Sequence, residues 1–121
     1  MSRVNIVTRA CNRLEYTVLN IRETHKVNNL YPYTHIIIEQ NSSDGTKQWL
    51  RSMELEGFYS LKVKYNTVNT GDAGGMRDGF DLSDDDCDYI MQLDNDLIPI
   101  TEDFVEKLVN IMDEDPKIGG I

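Results

Sequence analysis

The sequence predicts an α/β fold in which a mostly parallel sheet lies between two layers of helices. Three observations carry that expectation. Short apolar runs rich in β-branched residues, at 4–7, 33–39, 61–65 and 89–93, alternate with stretches whose apolar residues recur at helical spacing. Each stretch is long enough to cross back over the sheet, and such crossovers are right-handed. Polar and glycine-rich clusters then follow the apolar runs at 9–13, 39–44, 69–79 and 94–96. Ligands bind outside the carboxyl ends of parallel strands, so these clusters are expected to share one rim.

Taken in order, Val4-Asn5-Ile6-Val7 reads as the first strand, and Leu14, Val18, Leu19 and Ile21 mark a helix over 13–27. Pro32 introduces a second, well-buried strand at 33–39, followed by the turn residues Asn41-Ser42-Ser43-Asp44-Gly45. The next helix is expected to turn Trp49, Leu50 and Met53 inward. Leu61-Lys62-Val63-Lys64-Tyr65 alternates apolar and polar residues, which places a third strand near an edge. The glycine-rich stretch 71–79 leads into a short helix ending near Phe80, and Tyr89-Ile90-Met91-Gln92-Leu93 is the fourth strand. Thr101 is expected to cap a last helix with Glu102 and Asp103 in its first turn and Phe104, Val105, Leu108, Val109 and Met112 on its apolar face. Residues 118–121 read as the start of a fifth strand or its approach loop. Neither an internal repeat nor a linker divides the 121 residues, which are read as one domain.

The chain carries 12 Lys and Arg against 21 Asp and Glu, a formal net charge of −9. That balance argues against a nucleic-acid binder, whose affinity rests on basic groups facing phosphates. The charge is also uneven: residues 1–68 hold 9 basic and 6 acidic groups, residues 69–121 hold 3 and 15. Cys11 and Cys87 form no paired motif and are read as reduced thiols of a cytoplasmic protein. The first residues do not form a signal peptide, and Ile36-Ile37-Ile38, the longest apolar run, is far too short to span a bilayer. Any membrane association would run through a partner.

Leu93-Asp94-Asn95-Asp96 is the most informative stretch for chemistry. Alternate residues at a strand end share a side, so Asp94 and Asp96 are placed to face one hard cation. Mg²⁺ or Mn²⁺ at such a pair keeps waters and bridges to phosphate oxygens. The bland alternative is a polar turn after a strand. The acidic run 84–88 precedes its strand and is expected at the opposite end of the sheet, as solvated loop. The passage Asn69-Thr70-Gly71-Asp72-Ala73-Gly74-Gly75-Met76-Arg77-Asp78-Gly79 allows close backbone approach and offers helix-start amides to an anion. It matches neither G-x-G-x-x-G nor a Walker A loop, and a tight packing turn is its alternative. Arg77, one of three basic groups in the acidic half, is a candidate for pairing with a diphosphate. His25 and His35 are read as structural or solvated.

Together these segments resemble the nucleotide-sugar-binding half of the family 2 glycosyltransferases. Residues 4–13 align with that family's opening strand and its Pro-x-Tyr-Asn-Arg loop, and residues 38–46 with Asp-Asn-Gly-Ser-x-Asp-Gly-Thr. Residues 69–75 resemble Asn-x-Gly-x-Ala-Gly-Gly, and 93–96 the metal-binding Asp-x-Asp. The resemblance implies a Rossmann-like, mostly parallel GT-A sheet, truncated before the acceptor half. It implies a nucleotide diphosphate-sugar donor, with UDP as first choice, and a saccharide or other hydroxyl acceptor in an inverting, metal-dependent transfer serving polysaccharide biosynthesis. Asn12 and Glu39 would line the nucleobase pocket and Asp44 would hold the nucleoside. Arg9, Asn69, Gly71, Gly74, Gly75 and Arg77 would border ribose and diphosphate, and Asp94 and Asp96 would face Mn²⁺ or Mg²⁺. Arg9 and Cys11 depart from the family's Pro and Tyr, and Glu39 from its Asp. No Asp, Glu or His follows Asp115, so a catalytic base is not assigned. The competing readings are a non-catalytic nucleotide- or protein-binding module and, more weakly, a sugar nucleotidyltransferase, whose Gly-x-Gly-x-Arg opening is absent from residues 8–13. Self-association stays open.

Overall fold

In the computed structural model, which describes residues 2–28 and 31–121, four parallel strands form a sheet ordered β3-β2-β1-β4. The strands are β1 (Val4–Ala10), β2 (Thr34–Gln40), β3 (Leu61–Asn66) and β4 (Tyr89–Gln92); the helices are α1 (Leu14–Val27), α2 (Thr46–Glu56), α3 (Gly71–Leu82) and α4 (Phe104–Glu114). The chain steps outward from β1 through β2 to β3, then returns across the sheet to place β4 on the other side of β1. The strand order therefore reverses beside β1, the position at which open α/β sheets bind ligands. The alternating strand, β3, is an edge strand as expected. β1 is longer than expected and β2 is displaced by one residue, and each ends one residue inside its polar cluster.

Alternation along β1 and β2 divides the core. Ile6, Ala10 and Ile37 face the layer of α1, α2 and α4, where Ile21, Leu50, Val105 and Val109 cover them. Val7, Ile36 and Ile38 face α3, packed by Met76 and Leu82. Leu50 is fully buried, with Trp49 and Met53 half-buried beside it. The α3 contact depends on missing side chains. A Cβ on Gly79 would sit 2.5 Å from Val7 Cγ1, and one on Gly75 would sit 2.8 Å from Arg9 Cγ and Cδ. Four residues of helix advance about 6 Å and two residues of strand about 6.6 Å, so two glycines one turn apart admit Val7 and Arg9 in register.

Three local expectations are corrected. The glycine-rich stretch does not lead into a helix; it is the helix, from Gly71 to Leu82. The inward face of α1 is Thr17, Asn20, Ile21, Thr24 and Val27, while Leu19 is exposed. Thr17, Asn20 and Thr24 thus form a buried polar stripe, and on the inward face of the sheet Thr8 Oγ1 and His35 Nε2 pair at 2.8 Å. The last helix starts at Phe104, not at Thr101, because its cap comes from elsewhere. Asp103 takes a left-handed conformation and its amide donates to the Val27 carbonyl at 2.7 Å, while Asn28 Oδ1 accepts from the Val105 amide at 3.1 Å. Residues 118–121 form neither helix nor strand.

The acidic run lies at the amino end of the sheet as expected: Arg3 pairs with Asp86, and its amide donates to Asp88. Cys11 and Cys87 are unpaired. No helix of the described residues is long and apolar enough to cross a membrane.

Candidate functional site

The segments that follow the four strands meet in a cleft of about 400 Å³ at the carboxyl end of the sheet. Arg9, Ala10, Cys11 and Arg13 line it from β1 and its exit, Gln40 from β2, Asn69, Gly71 and Asp72 from the start of α3, and Asp94, Asn95 and Asp96 from beyond β4. The convergence follows from topology, because parallel strands discharge all their exits on one side.

Two of the walls are held by buried side chains from neighbouring elements. Gln40 is almost fully buried; its Nε2 donates to Thr70 Oγ1 at 3.0 Å and to the Gly71 carbonyl at 3.1 Å, while its Oε1 accepts from Asn66 Nδ2 and from the Thr70 amide. One amide thus fixes the passage from β3 into α3. The turn that carries the paired carboxylates is held by Asn20, which is fully buried in α1. Its Nδ2 donates to the carbonyls of Asp94 at 3.0 Å and Leu97 at 2.7 Å. An asparagine inside a helix loses helix propensity, and here it recovers that cost as a clamp on a distant turn.

Charge is concentrated on the cleft walls. The Arg9 side chain is 16% exposed and reaches Asp72 at 2.7 Å and Asp94 at 3.0 Å, while Arg13 lies 3.8 Å from Asp96. The start of α3 brings backbone amides to the same space, a favourable end for an anion.

Of the residues picked out in the sequence, Arg9, Asn69, Gly71, Asp94 and Asp96 line the cleft together. Asn12, Glu39 and Asp44 stand behind it as a frame. Asn12 Oδ1 accepts from the Ser43 amide at 2.7 Å, and Ser42 Oγ accepts from the Asn12 amide at 2.7 Å. The fully buried Glu39 carboxylate accepts from the amides of Asn41 and Ser42. Asp44 accepts from the Leu14 amide at 3.0 Å, so it caps α1 from a neighbouring loop, and from the Thr46 hydroxyl at 2.6 Å. Burial alone would raise the Asp44 pKa, but these hydrogen bonds prevail and hold it below the ordinary carboxylate value. Gly74 and Gly75 lie further along α3, Gly75 beneath Arg9 and Gln40. Arg77 is exposed on α3 and does not line the cleft; the basic groups there are Arg9 and Arg13. Gln40 lay inside the polar cluster 39–44 but was given no role of its own, and Asn20 was not picked out at all, since its partners lie more than 70 residues away.

A model of glycosyl transferase family 2 matches residues 5–121. The chain belongs to that family. Among solved structures it is similar to the mannosyltransferase PcManGT from Pyrobaculum calidifontis in complex with GDP-Man and Mn²⁺, with a TM-score of 0.82 and 17% identity over 96% of this chain. It is also similar to S. aureus TarS in complex with UDP-GlcNAc, with a TM-score of 0.78 and 16% identity over 94% of this chain. The chain spans about a third of the PcManGT chain and of the TarS 1-349 chain, 33% and 32% respectively, and 20% of the longer TarS chain. The GT-A-like α/β fold is thereby established. No curated protein matches the chain in sequence.

The carboxylates also fit a divalent cation of a particular kind. Among the described residues, no group of three or more His, Cys, Asp and Glu is placed to hold a metal ion. Asp94 and Asp96, whose side chains are 57% and 55% exposed, supply two carboxylates on an open wall. A Mg²⁺-type ion is commonly held by one or two carboxylates and completed by substrate phosphates and water, so the pair suits an ion that arrives with a phosphorylated ligand.

Proposed function

We propose that this chain is the donor-binding region of a glycosyltransferase that takes a sugar from a nucleotide diphosphate and passes it to an acceptor hydroxyl. The observation that carries the reading is the meeting of Arg9, Arg13, Asp94, Asp96 and the start of α3 on one cleft at the strand-order reversal of a family 2 chain. A nucleotide diphosphate-sugar matches that inventory, with anionic phosphates for the arginines and helix amides and carboxylates for an accompanying Mn²⁺ or Mg²⁺. The solved relatives hold GDP-Man, UDP and UDP-GlcNAc, which supports this donor class. We take a UDP-sugar as the first donor to test.

In the reaction proposed, the acceptor oxygen bonds to the anomeric carbon from the face opposite the diphosphate. The anomeric carbon–oxygen bond breaks with inversion, and the acceptor proton passes to a base that these residues do not supply. A divalent cation on Asp94 and Asp96 would contribute Lewis-acid charge for the leaving diphosphate. Arg9, Arg13 and the α3 amides bind and orient the phosphates, with Asn69 and Gly71 bordering them. Asn12, Glu39 and Asp44 keep the nucleoside side of the cleft in shape, Gly74 and Gly75 let α3 approach closely, and Arg77 lies outside. Calorimetry with UDP, GDP and UDP-GlcNAc, with and without Mn²⁺, tests the reading. Binding that depends on Asp94 and Asp96 is the expected result; absence of binding for every nucleotide, or unchanged binding in Asp94→Ala and Asp96→Ala, overturns it.

A further inference from the structure

Asp94 already has a cation. The Arg9 guanidinium lies 3.0 Å from its carboxylate, and a second nitrogen of the same group reaches Asp72 at 2.7 Å. Arg9 is not a surface side chain that finds Asp94 by chance. Its stem runs beneath α3 through the gap left by Gly75, where a Cβ would meet Arg9 Cγ and Cδ at 2.8 Å, and only 16% of the side chain is exposed. The two carboxylates it joins belong to different walls of the cleft, 72 at the start of α3 and 94 beyond β4. A pre-placed guanidinium loses little side-chain freedom on pairing with Asp94, the cost that weakens ordinary surface ion pairs.

We propose that Arg9 is an internal competitor for Asp94, which makes divalent-cation binding conditional on the arrival of a diphosphate. The inference rests on the donor-binding reading above. With the cleft empty of nucleotide, Arg9 neutralises Asp94, and a divalent cation must displace a guanidinium held in place by packing. A diphosphate presents Arg9 with a bidentate anionic acceptor on the same side of the cleft. The guanidinium then keeps Asp72, transfers its second contact to the phosphate and leaves Asp94 free for the cation. Cation and nucleotide consequently strengthen each other's binding, and linkage requires the enhancement to be equal in both directions. Asp96 lies 3.8 Å from Arg13, whose side chain is 64% exposed, and is the weaker-held of the two carboxylates.

Mn²⁺ binding to the nucleotide-free protein, followed by the loss of the free-ion electron paramagnetic resonance signal, tests this directly. The comparison is between the unaltered chain, Arg9→Met, which keeps the packed stem without the charge, and Arg9→Lys, which keeps one point contact. Arg9→Met is expected to bind Mn²⁺ alone about tenfold more tightly and to lose part of the enhancement that UDP produces in the unaltered chain. Arg9→Lys should show a smaller rise, and it serves as the readout if circular dichroism shows that Arg9→Met does not fold. Unchanged or weaker Mn²⁺ affinity in both variants, or no Mn²⁺ binding by any of the three proteins, overturns the inference. The Mn²⁺-alone arm needs no nucleotide, so its outcome stands apart from calorimetric failure of the donor-binding reading.

Discussion

At the amino end of the sheet, Asp88 accepts the Arg3 amide, and Asp113 accepts from the hydroxyls of Ser2 at 3.0 Å and Tyr89 at 2.6 Å. At the carboxyl end, Asp72, Asp94 and Asp96 face two arginines across an open cleft. Both ends are acidic, yet the acid does different work. Asp88 and Asp113 bond to the chain's own amides and hydroxyls, which ties α4 and the loop before β4 to the start of β1, while Asp86 beside them pairs with Arg3. Among the described residues, Asp72, Asp94 and Asp96 pair only with guanidinium groups, which are exchangeable for a ligand's charges. Net charge says nothing of this difference; the nature of the partner does.

The comparison breaks most readily at the paired carboxylates. Asp94→Ala and Asp96→Ala are each expected to weaken nucleotide binding in Mn²⁺ by roughly 10–100-fold, the loss of one charge-assisted contact, whereas Asp86→Ala should leave it unchanged. Calorimetry on the three variants decides; equal losses at both ends would erase the distinction drawn above. Asn20→Leu is expected to cost about 1–3 kcal/mol, because the carbonyls of Asp94 and Leu97 lose their buried donor, and to reduce nucleotide affinity as the turn loosens. Urea unfolding paired with a binding isotherm measures both effects.

The third expectation concerns the middle of the molecule. Burial lowers the His35 pKa to about 3, so the folded state holds this ring neutral. The unfolded chain takes up a proton near the ordinary value of about 6.5, so stability is complete above that pH and falls as pH drops toward about 3. The slope is about 1.4 kcal/mol per pH unit once the unfolded ring is charged. Unfolding curves at pH 7 and pH 5 should differ in the unaltered chain and converge in His35→Gln; an undiminished difference in the variant assigns the slope elsewhere. The smallest effect is expected for Tyr89→Phe, which deletes an exposed hydroxyl bond to Asp113. It should lower the melting temperature slightly and leave nucleotide binding untouched, as differential scanning fluorimetry with and without UDP will report.

Much of the fold and some of the cleft were legible in order. The apolar runs located all four strands, the alternation at 61–65 located an edge, and the position of Asp94 and Asp96 after a strand put them on the rim. Those signals are local: period, turn chemistry and direction along the chain. The errors have a common origin in contacts between distant residues. Leu19 fits a helical stripe, but the inward face of α1 had to meet the turn after β4, where Asn20 bonds the carbonyls of Asp94 and Leu97, so Thr17, Asn20 and Thr24 took it. Thr101 is a good capping residue, yet Asn28 sat closer to the first free amides of α4. Arg77 looked like the free cation of the acidic half, but helix phase turned it outward, while Arg9, from the basic half, crossed beneath α3 into the acidic wall.

By itself the sequence determined the α/β alternation, the parallel direction of the strands and the residues that would stand at their exits, because each follows from periodicity and connection length. The tertiary structure alone decided which of those residues face open space. Asn12, Glu39 and Asp44 became frame because neighbouring loops offered them amides, and Arg9 became the partner of Asp94 because Gly75 left room for its stem. A side chain's role depends on what competes for its hydrogen bonds and charge, and the competitors are set by packing across the sheet.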